Sequence, residues 1–300
     1  MPQGLDWERD GRDWPSRDAS RFVQAGGLRW HVQRSGPPTG RAPTLLLLHG
    51  TGASTHSWRD LLPLLARRFD VIAPDLPGHA FTQSPPDWQF SLPGMAGGVG
   101  ALMAAMGARP DMVVGHSAGA AVAARMCLDH RASPSAIVSL NGALLPLGGV
   151  AGQVFSPVAR LMASTSIVPR LFSWRASDPT VLRRLLDATG SRLDERGTEL
   201  YGRLVSNPGH AAGALGMMAN WDLHPLARDL RRLQAALTLV VGERDGTVPP
   251  SHSRRVQGMV PGAAFVALPG LGHLAHEERP EVVVECIERA AAAARLQPAA

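Results

Sequence analysis

Three residues set far apart in this chain have the types and surroundings needed for nucleophilic catalysis. Ser117 sits in Gly115-His-Ser-Ala-Gly119, after the apolar run Met112–Val114 and before an Ala-rich helical pattern from Ala118 to His130. Gly-x-Ser-x-Gly between a strand and a helix is the pattern of a nucleophile elbow. The turn is so tight that residues two before and two after the serine crowd each other, and Gly115 and Gly119 remove the side chains that would clash. Ser117 is expected in a strained backbone conformation, its hydroxyl exposed at the positive end of a helix. In a chain with 32 glycines the pentapeptide also arises by chance, so the flanking strand and helix carry its meaning.

A nucleophilic serine needs a base, and the base needs a group that orients it. His273 closes the glycine-rich loop Leu268-Pro-Gly-Leu-Gly-His273, after the apolar run Ala264–Leu268. Asp245 lies in Val241-Gly-Glu-Arg-Asp245-Gly-Thr-Val-Pro, after the strand-like run Leu237–Val241. Either residue alone reads as an ordinary turn residue. Both follow successive strands, in the chain order serine, acid, histidine, which argues for a triad. Ser117 is expected as nucleophile, His273 as general base and then general acid, and Asp245 as the group that fixes the histidine tautomer. Glu243 is the rival acid, less deep in the loop. Negative charge on a tetrahedral intermediate calls for fixed donors. The Ala118 N–H is one. The other is assigned to the Thr51 N–H, ahead of Gly52, in the turn that follows Leu45-Leu-Leu-Leu-His49-Gly50.

His49-Gly-Thr-Gly, Pro74-Asp75-Leu-Pro-Gly78-His79, the elbow, Gly242-Glu-Arg-Asp245 and Gly272-His273 together resemble the α/β-hydrolase superfamily over roughly residues 20–300. The resemblance implies a mostly parallel central sheet flanked by helices, with an inserted helical cap. Ala80 departs from the Gly-His-Gly usual after the fourth strand, a change of little cost unless the position needs a positive φ. A closer resemblance is to the magnesium-chelatase accessory proteins of bacteriochlorophyll biosynthesis. It rests on Trp7-Glu-Arg-Asp-Gly-Arg-Asp-Trp14-Pro, His49-Gly-Thr-Gly-Ala-Ser-Thr-His-Ser-Trp58-Arg-Asp, Ser139-Leu-Asn-Gly-Ala-Leu144 and Gly272-His-Leu-Ala-His-Glu-Glu278. It implies a role near magnesium insertion into protoporphyrin IX, with magnesium-chelatase subunits as partners.

These residues must be held by a framework, and 300 residues suffice for one large core. The chain holds 30 basic residues, all arginine, against 25 acidic ones, a formal net charge of +5. Without lysine there is no Schiff-base chemistry. The modest positive charge suits an anionic lipid or a carboxylate-bearing substrate, or reflects only a bias toward arginine codons. No nucleic-acid module and no basic run with interleaved aromatics is found. Cys127 and Cys286 lie in helical patterns and read as buried thiols. The charged amino terminus lacks a signal-peptide core and no apolar run reaches membrane-spanning length. A cytoplasmic location is expected, with peripheral membrane contact left open.

In chain order, residues 1–20 form a polar arm anchored by Trp7 and Trp14. Residues 21–143 and 228–300 form the hydrolase core, and residues 144–227 a helical cap. Arg21–Gln24 and Leu28–Gln33 read as a hairpin turned at Gly26-Gly27. Thr44–Leu48, Val71–Ala73, Met112–Val114, Ala136–Leu140, Leu237–Val241 and Ala264–Leu268 read as strands. Trp58–Arg68, Leu92–Met106 and Pro280–Arg295 read as helices, the second loosened by Gly97, Gly98 and Gly100. Asp75 is expected to tie its loop. Asn141 stands where some hydrolases carry the acid, and being an amide it leaves that task to Asp245. Within the cap, Val158–Ala163, Thr180–Thr189 and Leu193–Val205 read as short helices. Phe155, Met162, Leu171, Phe172, Trp174, Met217, Met218 and Trp221 are the candidates to line an apolar pocket, or else form the cap's own core. Methionine and tryptophan suit a flat, polarizable ligand such as a tetrapyrrole, and equally a lipid or an aromatic ester. His49, His56, His79 and His116 are explained by loops and the elbow, so no metal site and no cofactor is expected.

Three functions fit: a serine hydrolase acting in bacteriochlorophyll biosynthesis on a tetrapyrrole-related substrate, a general carboxylesterase or lipase-like enzyme for small apolar acyl substrates, and a non-catalytic tetrapyrrole-binding accessory.

Overall fold

The computed structural model describes residues 4–38, 40–146 and 167–297. Eight strands form one sheet: β1 (Ser20–Ala25), β2 (Leu28–Ser35), β3 (Thr44–Leu48), β4 (Asp70–Pro74), β5 (Met112–His116), β6 (Ala136–Leu140), β7 (Ala236–Gly242) and β8 (Ala264–Leu268). Their order is β1-β2-β4-β3-β5-β6-β7-β8. β1 and β2 are a hairpin, β2 runs antiparallel to β4, and every pair from β4 to β8 is parallel.

The apolar strands are apolar because both sheet faces are covered. In β3 alternate residues go to opposite layers. Leu46 and Leu48 join a core with the Leu92–Ala105 and Ala118–Leu128 helices. Leu45 and Leu47 join a second core with the Leu61–Leu65 and Pro280–Ala293 helices. Gly97, Gly98 and Gly100 do not interrupt the Leu92–Ala105 helix. Gly98 faces the Trp30 ring, where an added Cβ would lie in ordinary van der Waals contact at 3.4 Å.

One helix is shorter than the pattern from Trp58 to Arg68 implies. Thr55–Trp58 is a 3₁₀ turn, and the α-helix runs only from Leu61 to Leu65. Pro63 explains the late start, because proline is tolerated only in the first turn of a helix. Ala80 is a second correction. Its φ is +42° and it is buried, so this position does adopt the left-handed conformation that glycine takes without strain.

The amino-terminal arm packs on the body through its tryptophans. Trp14 is buried and its indole N–H donates to Thr55 Oγ1 at 3.1 Å. Trp7, Phe22 and Phe81 surround the His31 ring. Asp13 accepts from Arg196 and Arg203, and these arginines hold its carboxyl well below the usual range.

Between β6 and β7 the regular elements of the described residues are all helical: Ile167–Ala176, Pro179–Asp187, Glu195–Val205, Pro208–Ala219 and His224–Asp229, with a 3₁₀ turn at Leu230–Arg232. The expected helices over Thr180–Thr189 and Leu193–Val205 correspond to the second and third. The Pro208–Ala219 helix was not foreseen in its glycine-rich sequence. Phe155, Met162 and the Val158–Ala163 pattern lie outside the described residues.

Candidate active site

The strand β5 ends at His116, and the Ala118–Leu128 helix begins directly after Ser117. Ser117 has φ 52° and ψ −117°, a strained conformation for a residue with a side chain. Serine usually caps a helix with its hydroxyl, but the Ser117 side chain makes no such bond. Its Oγ is left for the cavity above the sheet.

Three glycines permit this turn. A Cβ on Gly115 would lie 2.5 Å from the backbone of Gly119 and Ala120. A Cβ on Gly119 would lie 2.1 Å from the Leu48 carbonyl oxygen, so its main constraint is the neighbouring strand β3. Gly50 brings the loop after β3 against the elbow, where a Cβ would sit 3.0 Å from the Ser117 Cβ.

His273 and Asp245 are brought together from the loops after β8 and β7. His273 Nδ1 lies 2.8 Å from Asp245 Oδ2. Asp245 Oδ1 accepts from the N–H groups of Thr247 and Val248, both at 2.8 Å. Asp245 Oδ2 also accepts from Asn141 Nδ2 at 2.8 Å. A carboxylate held this way presents one fixed acceptor, so the imidazole carries its proton on Nδ1 and offers Nε2 as a base. Ser117 and His273 line one cavity of about 620 Å³, together with Thr51 and Ala118. Glu243, the rival acid, is exposed.

Ala118 is the first residue of its helix, so its N–H has no intrahelical acceptor. The Thr51 loop is held from below by His49. The Leu76 N–H donates to His49 Nε2 at 2.8 Å, which leaves the proton on Nδ1, 2.8 Å from the Gly50 carbonyl. Asp75 accepts from the Phe81 N–H at 3.3 Å, which ties the loop that follows it as expected. It also meets His31 at 2.7 Å and accepts from the Thr55 N–H at 2.7 Å, which joins it to the loop after β3. Burial pushes the Asp75 carboxyl up, but His31, His49 and the Thr55 N–H outweigh it and bring it to about 2.

The helical insertion reaches both sides of the site. Thr189 O accepts from the His273 N–H at 3.0 Å and from the Gly246 N–H at 3.1 Å. Gly190, at φ +78°, comes so close that a Cβ would lie 1.9 Å from Arg244 O. Ser191 Oγ accepts from the Leu274 N–H at 2.8 Å. Three consecutive residues of the insertion therefore clamp the loops that carry Asp245 and His273. On the other side, His210 Nδ1 accepts from the Ala80 N–H at 3.0 Å, and its Nε2–H donates to Gly52 O at 3.1 Å. Burial keeps this ring neutral by lowering it to about 4.

Met218, Trp221, Leu223 and Val248 supply apolar walls to the cavity, with Tyr201 beside them. The Tyr201 hydroxyl donates to buried Glu277, which also contacts Arg59, and burial raises the Glu277 carboxyl to about 7. Asp222 and His224 stand at the exposed rim. Four of the expected lining residues lie elsewhere. Met217 is buried beneath the wall, its sulfur 3.5 Å from Thr51 Oγ1. Phe172 and Trp174 point outward, 38% and 69% exposed, and so does Leu171. Cys127 and Cys286 are free thiols raised by burial, Cys127 to about 12. Among the described residues no cluster of acidic, histidine or cysteine side chains is arranged to hold a metal ion.

A strained serine at a strand-to-helix turn, with an acid and a histidine from later loops on a mostly parallel sheet, defines the α/β-hydrolase arrangement. The chain belongs to the α/β-hydrolase fold family, whose profile matches residues 43–280. Among its relatives, the magnesium-chelatase 30 kDa subunit of Rhodobacter capsulatus is 38% identical over 265 residues, or 88% of this chain and 92% of that protein. A putative lipase from Acinetobacter baumannii superposes with a TM-score of 0.77 at 18% identity, covering 98% of each chain. A thermophilic esterase from Thermogutta terrifontis superposes with a TM-score of 0.69 at 21% identity, covering 92% of this chain and 98% of its own. At these identities the structural likeness is one of fold alone.

Proposed function

We propose that this protein is a serine-dependent hydrolase of an apolar acyl substrate, and that it serves near the magnesium-chelatase step of bacteriochlorophyll biosynthesis. The observation that carries the reading is the His273–Asp245 contact at 2.8 Å, with His273 lining the same cavity as Ser117. In this reading His273 Nε2 takes the Ser117 proton as Oγ attacks the acyl carbon. The Thr51 and Ala118 N–H groups stabilise the oxyanion. His273 then protonates the leaving group, and water releases the acyl group by the same steps in reverse.

Residues 144–227 act as a cap that shapes the substrate. The walls are apolar and no arginine is among the described lining residues, while Asp222 adds an acid at the rim. That chemistry favours a neutral acyl group or ester over a free carboxylate. The place in the pathway, and magnesium-chelatase subunits as partners, rest on the likeness to the Rhodobacter capsulatus protein. Among the described residues no helix is long and apolar enough to cross a membrane. A second reading, a tetrapyrrole carrier without catalysis, is favoured by the flat Trp221 ring beside Met218 in the cavity.

Hydrolysis of p-nitrophenyl esters of increasing chain length separates the two. The hydrolase reading expects turnover that falls by at least about 10³-fold in Ser117→Ala. A Soret-band shift with protoporphyrin IX that survives Ser117→Ala, without ester turnover by the wild type, selects the carrier.

A further inference from the structure

The Ile167–Ala176 helix is inside out. The residues it buries are Pro169, Ser173 and Ala176. The residues it exposes include Ile167 at 70%, Leu171 at 57% and Trp174 at 69%. These three follow the spacing i, i+4, i+7, so they form one stripe along the helix. Arg170 and Arg175 fall on the same face at i+3 and i+8 and are exposed. The stripe carries no acidic residue. The next helix, Pro179–Asp187, adds exposed Leu185 beside exposed Arg183 and Arg184.

We propose that this face of the insertion docks on an anionic lipid surface, and that the cavity receives its apolar ligand from that surface. Large apolar side chains in water are unfavourable, and a tryptophan among leucine, isoleucine and arginine is the composition of a helix lying in a bilayer interface. The charges choose the occupant. A second copy of the chain would bring Arg170 and Arg175 toward their own symmetry mates, because a two-fold interface places like patches together. An anionic membrane instead attracts each arginine and accommodates an exposed helix face without a complementary groove. The geometry links the face to the site. The Ile167–Ala176 helix packs on the Pro208–Ala219 helix, which carries Met218, and on the Pro179–Asp187 helix, which carries Leu186. Met218 and Leu186 both line the cavity.

Co-sedimentation with phosphatidylglycerol-containing vesicles, beside pure phosphatidylcholine vesicles, tests the proposal and needs no catalysis. The full chain is expected to bind the anionic vesicles and to be released by salt. Arg170→Gln/Arg175→Gln is expected to weaken binding about thirtyfold, from roughly 1 kcal/mol per arginine near an anionic surface. Leu171→Ser/Trp174→Ser is expected to abolish it, with the thermal unfolding midpoint unchanged because both side chains are exposed. Equal binding by these variants, or no binding by the wild type, overturns the proposal. So does a dimer that Leu171→Ser/Trp174→Ser dissociates, or saturable capture by an acidic chelatase subunit through the same face without any vesicle binding.

Discussion

Asn141 Nδ2 donates to Asp245 Oδ2 at 2.8 Å, the same oxygen that faces His273 Nδ1 at 2.8 Å. The amide comes from the end of β6 and the carboxylate from the loop after β7. Asn141 itself has φ 48°, a left-handed conformation that asparagine tolerates better than most residues. Its side chain thus orients the acid that orients the histidine. Asn141→Ala is expected to lower kcat about tenfold, the loss of one hydrogen bond to a charged group. Asp245→Asn is expected to lower it about 10⁴-fold by favouring the wrong imidazole tautomer. Steady-state kinetics on a short ester measure both, and equal losses contradict a supporting role for Asn141.

The clamp formed by Thr189, Gly190 and Ser191 predicts that the insertion positions Asp245 and His273. A Cβ on Gly190 would meet Arg244 O at 1.9 Å, on a backbone at φ +78°. Gly190→Ala must push the Asp245 loop away. A displacement of about 1 Å costs roughly 10²-fold in rate. The expected result is a kcat lower by that order, with stability reduced by about 2 kcal/mol. Unchanged kcat with normal folding contradicts the clamp.

Acid should loosen the insertion through His210. The folded state keeps the ring neutral down to about pH 4, whereas the unfolded chain takes a proton near its ordinary value of 6.5. Below pH 6.5 the unfolded state therefore binds more protons, and stability falls with pH until about 4. The loss from this group is about 3 kcal/mol. Buried His49, His56, His79, His116 and His276 are lowered too and act in the same direction. In urea unfolding followed across this window, His210→Gln is expected to remove about one proton from the slope, ~1.4 kcal/mol per pH unit. An unchanged slope contradicts a neutral His210 ring in the folded state.

The parts legible in the sequence were those fixed by backbone demands. The glycines around Ser117, the apolar runs of the parallel strands and the loops of Asp245 and His273 announce themselves locally. What the sequence concealed depends on long-range contact or on direction. Asn141 meets Asp245 across 104 positions, so nothing near Asn141 reveals more than the absence of an acid. Trp174 and Phe172 have the composition of a pocket wall, but the helix turns its small residues inward and these outward. Ala80 hides a positive φ behind a residue type that does not signal it. The Pro208–Ala219 helix is capped by Asn207 yet rich in glycine, and it is held by packing rather than propensity.

The central claim is that Ser117 is an activated nucleophile. Reaction of the purified protein with a fluorophosphonate probe, with the adduct mapped by mass spectrometry, tests it without knowledge of the natural substrate. The account predicts a single covalent adduct on Ser117 that is absent in Ser117→Ala and strongly reduced in His273→Ala. A folded protein that stays unlabelled, or labels equally well without His273, contradicts it.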